Sequence, residues 1–380
     1  MKATGAWLSD APTQAVLAML DRAGHAALCV GGCVRDALIG RVVADVDIAT
    51  DARPETVVAL AKEAGLRAVP TGIDHGTVTV VSGGQGYEVT TFRRDVETFG
   101  RHAVIAYADR VEEDAARRDF TMNALYARAD GTLVDPLGGL ADLVQRRVRF
   151  VGPPADRIRE DYLRILRFFR FQAHFGDPFH PMDPNALAAC AEHADGIGQL
   201  SRERVGAEMR KLLAAPDPAP ALRGMAETGV LAATLPGADP SALALMVHLE
   251  GGMAPRWLRR LAVLSPRDPD AALRLTRAEA RDLARMADHA GTDAHPAALG
   301  YWLGADLGAD AALLRAARAR ELLPEGWAAE VARGAAQRFP LRAADLMPAL
   351  TGPALGRRLR ELEWRWVASD FELTRDQLLA

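Results

Sequence analysis

The spacing of apolar residues changes once along this chain. Over roughly the first 140 positions, helix-period stretches alternate with short apolar runs. The pattern predicts a helix over 13–23, a short buried strand over 26–30, and a short helix after Gly31-Gly32. A strand containing residues 43–49 and a helix over 54–64 follow. The β-rich runs 77–82 and 87–92 then flank Gly83-Gly84-Gln85-Gly86, a hairpin signal because tight turns between strands need positive φ. After Asp135-Pro136-Leu137-Gly138-Gly139 the β-branched runs nearly vanish. From about Asp142 onward Leu/Ala/Arg-rich helical patterns dominate, with breaks at 178–184, 216–220, 236–240, 266–269 and 291–295. The expected fold class is α+β: an N-terminal α/β head with a mixed β-sheet, followed by an all-α remainder.

Length and composition narrow the picture a little. A chain of 380 residues is too long for one small core, which predicts two to four domains or subdomains. Hydrophobic residues at 49% and charged residues at 25% are ordinary for a globular protein. No apolar run reaches membrane-spanning length, and the opening MKATGAWLSDAP has no signal-peptide core, so a cytoplasmic location is expected. Cys29, Cys33 and Cys190 lack zinc-knuckle spacing and read as reduced packing residues. The net charge of -4 excludes a uniformly basic nucleic-acid binder but leaves room for local basic stripes. Nearly all basic residues are Arg, with Lys only at Lys2, Lys62 and Lys211, so an arginine by itself says less here than usual.

Candidate chemistry starts at Cys29-Val-Gly-Gly-Cys-Val-Arg-Asp36, followed after one short helix by Asp45-Val-Asp47. Two glycines between a strand and a helix let backbone N–H groups approach a phosphate, and Arg35 one turn later adds a charged fork. Asp45 and Asp47, two apart on the expected strand, leave its same face. Paired carboxylates beside a phosphate site are what two-metal phosphoryl chemistry requires. Alone, the glycines read as a turn and the acids as a solvated strand edge; in this order and spacing they read as a site. Glu88 opens the neighbouring hairpin strand and is a candidate third acid.

Gly31-Gly32-Cys-Val-Arg-Asp36 with Asp45-Val-Asp47, then Arg117-Arg118-Asp119-Phe120-Thr121, then Glu160-Asp161-Tyr-Leu-Arg164, resembles the bacterial CCA-adding enzyme and poly(A) polymerase family of class II nucleotidyltransferases. The resemblance runs in order over residues 25–215. It implies a nucleotidyltransferase head at 1–140, a helical neck at 141–215 carrying a nucleotide-template helix, and a helical, tRNA-binding body and tail at 216–380. It implies template-independent addition of CCA to the tRNA 3′ end from CTP and ATP, with Mg²⁺ on Asp45 and Asp47. Gly31, Gly32 and Arg35 would hold the triphosphate, and Arg118 and Asp119 the nucleotide and its ribose. Spacing alone makes Arg117-Arg118-Asp119 a loop ion pair.

The stretch 156–171 reads as one long amphipathic helix placing Asp161, Arg164 and Arg167 at helical spacing. Ordinary surface salt bridges would explain it too. Yet cytosine and adenine both present an amino donor beside a ring-nitrogen acceptor, which an Asp–Arg pair complements, whereas uracil and guanine present the reverse. In the resembled family this motif is the amino-acid template, a role carried onto Asp161 and Arg164, and Arg167 and Arg170 are implied to contact the nucleotide. Ser201 reads as an N-cap, with Val205, Met209 and Leu212 as a buried stripe. Residues 95–102 resemble a mobile loop of relatives that helps switch from C to A addition, although Phe99 stands where a polar residue is usual. Asp74-His75-Gly76 reads as a structural turn. A poly(A) polymerase, or an enzyme adding only the two Cs or only the A, shares most of these motifs; residues 70–78 lack the Arg-rich segment usual in poly(A) polymerases. Oligomeric state is not legible.

Overall fold

The computed structural model describes residues 2–99, 102–347 and 349–380, without the side chains of Asp74 and of 95–105. The chain forms two compact units, Met1–Leu200 with Glu227–Ala233, and Ser201–Ala226 with Thr234–Ala380. Among the described residues no helix is long and apolar enough to cross a membrane.

In the first unit α1 (Ala6–Ser9) and α2 (Ala11–Arg22) precede β1 (Leu28–Val30), α3 (Gly32–Leu38), β2 (Asp47–Thr50) and α4 (Pro54–Glu63). Strands β3 (Arg67–Gly72), β4 (Thr77–Ser82) and β5 (Gln85–Thr91) follow, then the ribbon β6 (Arg93–Phe99) and β7 (His102–Tyr107). Next come α5 (Val111–Ala116), β8 (Tyr126–Ala127), β9 (Leu133–Val134), α6 (Gly139–Val144), α7 (Pro154–Glu160), α8 (Leu163–Phe175) and α9 (Pro184–Glu192). Seven strands make a mixed sheet in the order β3-β4-β5-β2-β1-β8-β9. Only β2 and β5 pair in parallel, setting Asp47 opposite Glu88 and Ile48 opposite Val89.

The local reasons are plain. In α2 a first-turn proline starts the helix, and Val16, Leu17, Met19 and Leu20 form the stripe it buries. Each such side chain stabilises by roughly 1.5–3 kcal/mol when removed from water. Strand β4 alternates strictly, with Val78 and Val80 inside, and Gly83 and Gly84 at positive φ close its hairpin to β5. Leu28, Val30, Ala49, Phe92 and Tyr126 join in one core cluster. On α8 Phe168 and Phe171 pack with Phe120 and Phe150 at ring separations of 4.8–6.5 Å.

Three expectations change. The strand expected over 43–49 starts only at Asp47, so Asp45 lies in the irregular approach to it. The single helix expected over 156–171 is two helices, broken where Asp161 adopts extended angles (φ -155°, ψ 108°). Its carboxylate instead accepts the Leu163 N–H at 3.1 Å, the local bond by which Asp competes with helical backbone. The edge strand β3 escaped the sequence pattern, because Pro70 and Gly72 interrupt it and little of it is buried.

Helix α12 (Val230–Thr234) falls almost wholly in the first unit, and the second unit is helical: α10 (Arg202–Leu213), α11 (Ala219–Glu227), α13 (Leu243–Leu249), α14 (Trp257–Leu264), α15 (Pro269–Leu273), α16 (Arg277–Ala290), α17 (Pro296–Leu303), α18 (Ala305–Ala319), α19 (Trp327–Ala335), α20 (Gly352–Ala368) and α21 (Arg375–Leu379). Ser201 caps α10 by accepting the Arg204 N–H, and Val205, Met209 and Leu212 are fully buried, as expected. Helices α17 and α19 touch backbone to backbone: a Cβ on Gly334 would stand 1.7 Å from the Ala297 carbonyl oxygen. At the centre Arg259 and Arg260 are buried, held by Glu250 at 2.7 and 2.6 Å and, for Arg259, by Asp310 at 2.9 Å.

Candidate active site

The Gly31-Gly32 turn leaves β1 and opens α3, as the sequence predicts. Gly31 takes φ 75° and ψ -120°, angles that only glycine adopts readily, and its carbonyl accepts the Arg35 N–H at 3.0 Å. A Cβ here would stand 3.4 Å from Arg118 Nη1 and 3.6 Å from the Asn123 carbonyl oxygen. The turn therefore lies directly against the Arg117-Arg118-Asp119 motif, from which more than eighty residues of sequence separate it.

Arg118 is aimed from behind. Its Nη2 lies 2.9 Å from Asp114, its Nε 3.1 Å from the Tyr126 hydroxyl, and that hydroxyl donates to Asp114 at 2.8 Å. Burial pushes the Asp114 carboxyl up, but Arg118, Arg117 and the Tyr126 hydroxyl more than reverse this and hold it below the usual range. Arg118 is correspondingly held charged.

Asp47 and Glu88 are register partners on β2 and β5, and both side chains are exposed. Desolvation by surrounding protein raises the Asp47 pKa, Glu88 and Asp45 raise it further, and Arg118 pulls it back. The three acids and Arg118 thus share one electrostatic neighbourhood beside the glycine turn. Among the described residues no group of three or more His, Cys, Asp or Glu side chains is placed to hold a metal ion.

Asp119 faces the helical side of the unit. Arg167 reaches its Oδ2 at 2.8 and 2.5 Å, while Asn123 and the Phe120 N–H donate to Oδ1 at 2.9 and 2.8 Å. Burial raises this carboxyl, and Arg167 with those donors lowers it below its ordinary value. Asn123 also accepts from Arg35 Nη1 at 2.6 Å, so a continuous chain runs Arg35–Asn123–Asp119–Arg167. Arg35 is itself 8% exposed, bonded to Asp36 and stacked 4.1 Å over Phe175; its Nη2 lies 3.8 Å from where a Gly32 Cβ would be. Arg170 stacks at 4.6 Å on Phe171.

A second chain ties the α7–α8 break to the same motif. Arg157 donates to the carbonyl oxygens of Arg117 and Arg118, the latter at 3.0 Å, and to Glu160 at 2.5 Å. Glu160 also binds Arg164, which donates to the Arg157 carbonyl at 2.9 Å. Asp114, Asn123, Arg157 and Glu160 were absent from the sequence-derived set. Asp114 and Asn123 stand four residues from Arg118 and Asp119 and could have been found by that spacing. Arg157 carried no signal, since the carbonyls it grips lie some forty positions away. His75 closes a 3₁₀ turn before a left-handed Gly76, a structural role as expected. Residues 95–102 contribute backbone to β6 and β7, but Gly100, Arg101 and the side chain of Phe99 lie outside the described residues.

Known proteins resemble this chain in sequence and fold. Residues 27–149 match the poly A polymerase head domain, and residues 181–241 match a probable RNA and SrmB-binding site of polymerase A. A CCA-adding enzyme of Geobacillus stearothermophilus is 42% identical over 224 residues, which cover 58% of this chain and 54% of that protein. The human mitochondrial CCA tRNA nucleotidyltransferase 1 is 43% identical over 190 residues, covering 50% and 44%. The chain thus spans about half the length of the curated relatives it matches. The crystal structure of a Bacillus stearothermophilus CCA-adding enzyme in complex with CTP matches with a TM-score of 0.74 at 30% identity, over 94% of this chain and 93% of that one. Identity and fold sustained together along both chains mean that this protein belongs to the family of CCA-adding enzymes and poly(A) polymerases.

Proposed function

We propose that this chain adds CCA to the 3′ end of tRNA from CTP and ATP, without a nucleic-acid template and with release of pyrophosphate. Arg118 carries the reading. It touches the Gly31 turn and acts on Asp47, so phosphate-binding backbone, a fixed positive charge and a set of acids meet in one place.

The residues present suit a divalent cation. Their donors are hard carboxylate oxygens, and Glu88 and Asp45 set like charges beside Asp47 that a cation would relieve. Magnesium is commonly held by one or two carboxylates completed by substrate phosphates, which agrees with a small acidic set rather than a full protein cage. Asp45 and Asp47 would hold two Mg²⁺ ions with Glu88 beside them, supplying the positive charge that nucleotidyl transfer needs.

The chain's own groups position the substrates. Gly31 and Gly32 offer backbone to the triphosphate, with Arg118 Nη1 and Arg35 Nη2 adding charge. The primer 3′-hydroxyl attacks the α-phosphate in line and pyrophosphate departs. Asp161 accepts the amino proton shared by cytosine and adenine, and Arg164 donates to the ring nitrogen. Glu160 and the Arg157 carbonyl hold Arg164 for that task. Asp119 meets the ribose and fixes Arg167, which with Arg170 contacts the nucleotide. In this division the head (1–140) runs the reaction, the neck (141–215) reads the base, and residues 216–380 grip tRNA. Three buried, unpaired cysteines suit a cytoplasmic site.

The test is primer extension on tRNA ending at its discriminator base, with each NTP alone and then CTP with ATP. Addition of two Cs and one A, then arrest, is the expected product. Long A tails would replace this reading with a poly(A) polymerase. Asp45→Ala or Asp47→Ala should slow transfer by about a thousandfold or more, the scale of several kcal/mol of lost charge stabilisation; unimpaired transfer in either would remove that residue from the site.

A further inference from the structure

Helix α20 differs from the rest of this acidic chain. It carries Arg357, Arg358, Arg360 and Arg365 against Glu361 and Glu363, a net of +2 on a protein whose total is -4. Both acids are engaged, Glu361 by Arg358 at 3.0 Å and Glu363 by the Tyr301 hydroxyl. Arg357, Arg360 and Arg365 are exposed, and among the described residues none of them makes an ion pair. The helix buries Leu362, Trp366 and Val367, whereas Trp364, between those arginines, is 57% exposed. Spacings of three and four residues put Arg357, Arg360, Glu361 and Trp364 on one face.

Trp364 is not a loose side chain. One side of its indole rests on Trp302 at a ring separation of 5.0 Å and a 36° tilt. Trp302 is anchored in turn: its carbonyl accepts Arg285 at 2.7 Å. A propped ring with unpaired guanidinium groups one and two turns away suits an unstacked nucleobase with its neighbouring phosphates. A protein partner would be expected to meet a larger apolar patch, but Trp364 is the one large hydrophobic residue exposed on α20.

We infer that this face of α20 is an RNA-binding surface on which Trp364 stacks an unpaired base of the substrate tRNA while Arg357 and Arg360 bind flanking phosphates. The inference rests on the proposed tRNA substrate, but it concerns binding and not catalysis. Equilibrium binding of tRNA ending at the discriminator base, without nucleotide, is therefore the measurement. Trp364→Ala should weaken binding about tenfold, within the range for losing one base–aromatic stack, and Trp364→Phe should recover most of it. The pair Arg357→Gln with Arg360→Gln should lower the slope of log Kd against log salt by about 2. In extension assays Trp364→Ala should raise KM for tRNA while leaving kcat and KM for CTP unchanged. If Trp364→Ala disrupts folding, seen as lost helical circular dichroism, the Arg pair and Trp364→Phe still decide the matter. Unchanged affinity and salt slope would overturn the inference, as would a dimer on gel filtration that Trp364→Ala dissolves. A chain that binds tRNA through Trp364 yet adds no nucleotide would leave this inference standing and defeat the catalytic reading instead.

Discussion

Gly31 shows how the backbone itself dictates the residue in the turn between β1 and α3. At φ 75° and ψ -120° any other residue is strained by about 1–3 kcal/mol, while its Cβ would only touch Arg118 Nη1 at 3.4 Å. Gly31→Ala should lower the urea midpoint by a corresponding amount and weaken CTP binding, because relieving the strain re-aims the backbone N–H groups of the turn. A variant with normal CTP affinity would show that the turn does not meet the triphosphate. Asp161 makes a different point. It both accepts the Leu163 N–H beside the α7–α8 break and is proposed to read the base, so Asp161→Ala mixes two effects. Loss of that hydrogen bond should cost about 1 kcal/mol of stability. Loss of reading should relax selection against UTP and GTP by about 1–3 kcal/mol in kcat/KM ratios. Asp161→Asn keeps an oxygen for the Leu163 N–H and separates the two. Unaltered base selection in the alanine variant would mean that another residue reads.

At the scale of elements, the site is assembled by carboxylates that serve arginines. Asp114 on α5 is buried and Asp119 just after it is partly buried, and their guanidinium partners hold both below the ordinary carboxylate range. A carboxyl whose folded-state pKa is depressed stabilises fully above its unfolded pKa, near 3.9, and loses that contribution as pH falls through the folded value. The urea midpoint should therefore stay level from about pH 7 to pH 5 and drop below about pH 4. Asp114→Asn should be less stable at pH 7 and should show a shallower acid drop. An equally steep drop would place the acid sensitivity elsewhere. These same pairs explain why the Arg117-Arg118-Asp119 motif looks like a loop ion pair in sequence: Arg118 and Asp119 do form ion pairs, with Asp114 and Arg167 rather than with each other.

For the molecule as a whole, each unit has its own buried charges. The acids and the glycine turn lie in the first, while two fully buried arginines, Arg259 and Arg260, are held with Glu250 and Asp310 inside the second. Removing one partner of a buried ion network strands the others. Glu250→Ala should destabilise by about 3–5 kcal/mol, seen as a lower Tm for the helical transition. A loss below about 1 kcal/mol would mean that Asp310 and the carbonyls bonded to Arg260 suffice.

Sequence alone determined what depends on near neighbours. The hydrophobic periods located α2, α4 and β4, the paired glycines marked the β4–β5 hairpin and the opening of α3, and the change of texture after Gly139 marked the end of strand-forming sequence. Tertiary structure decided what depends on distant ones. Asp47 meets Glu88 only because β2 pairs in parallel with β5, and Gly31 meets Arg118 only because β1 lies beside β8. The break at Asp161 was equally hidden. Helical periodicity records which side chains face the core, and it continues through a residue whose carboxylate takes the backbone bond for itself.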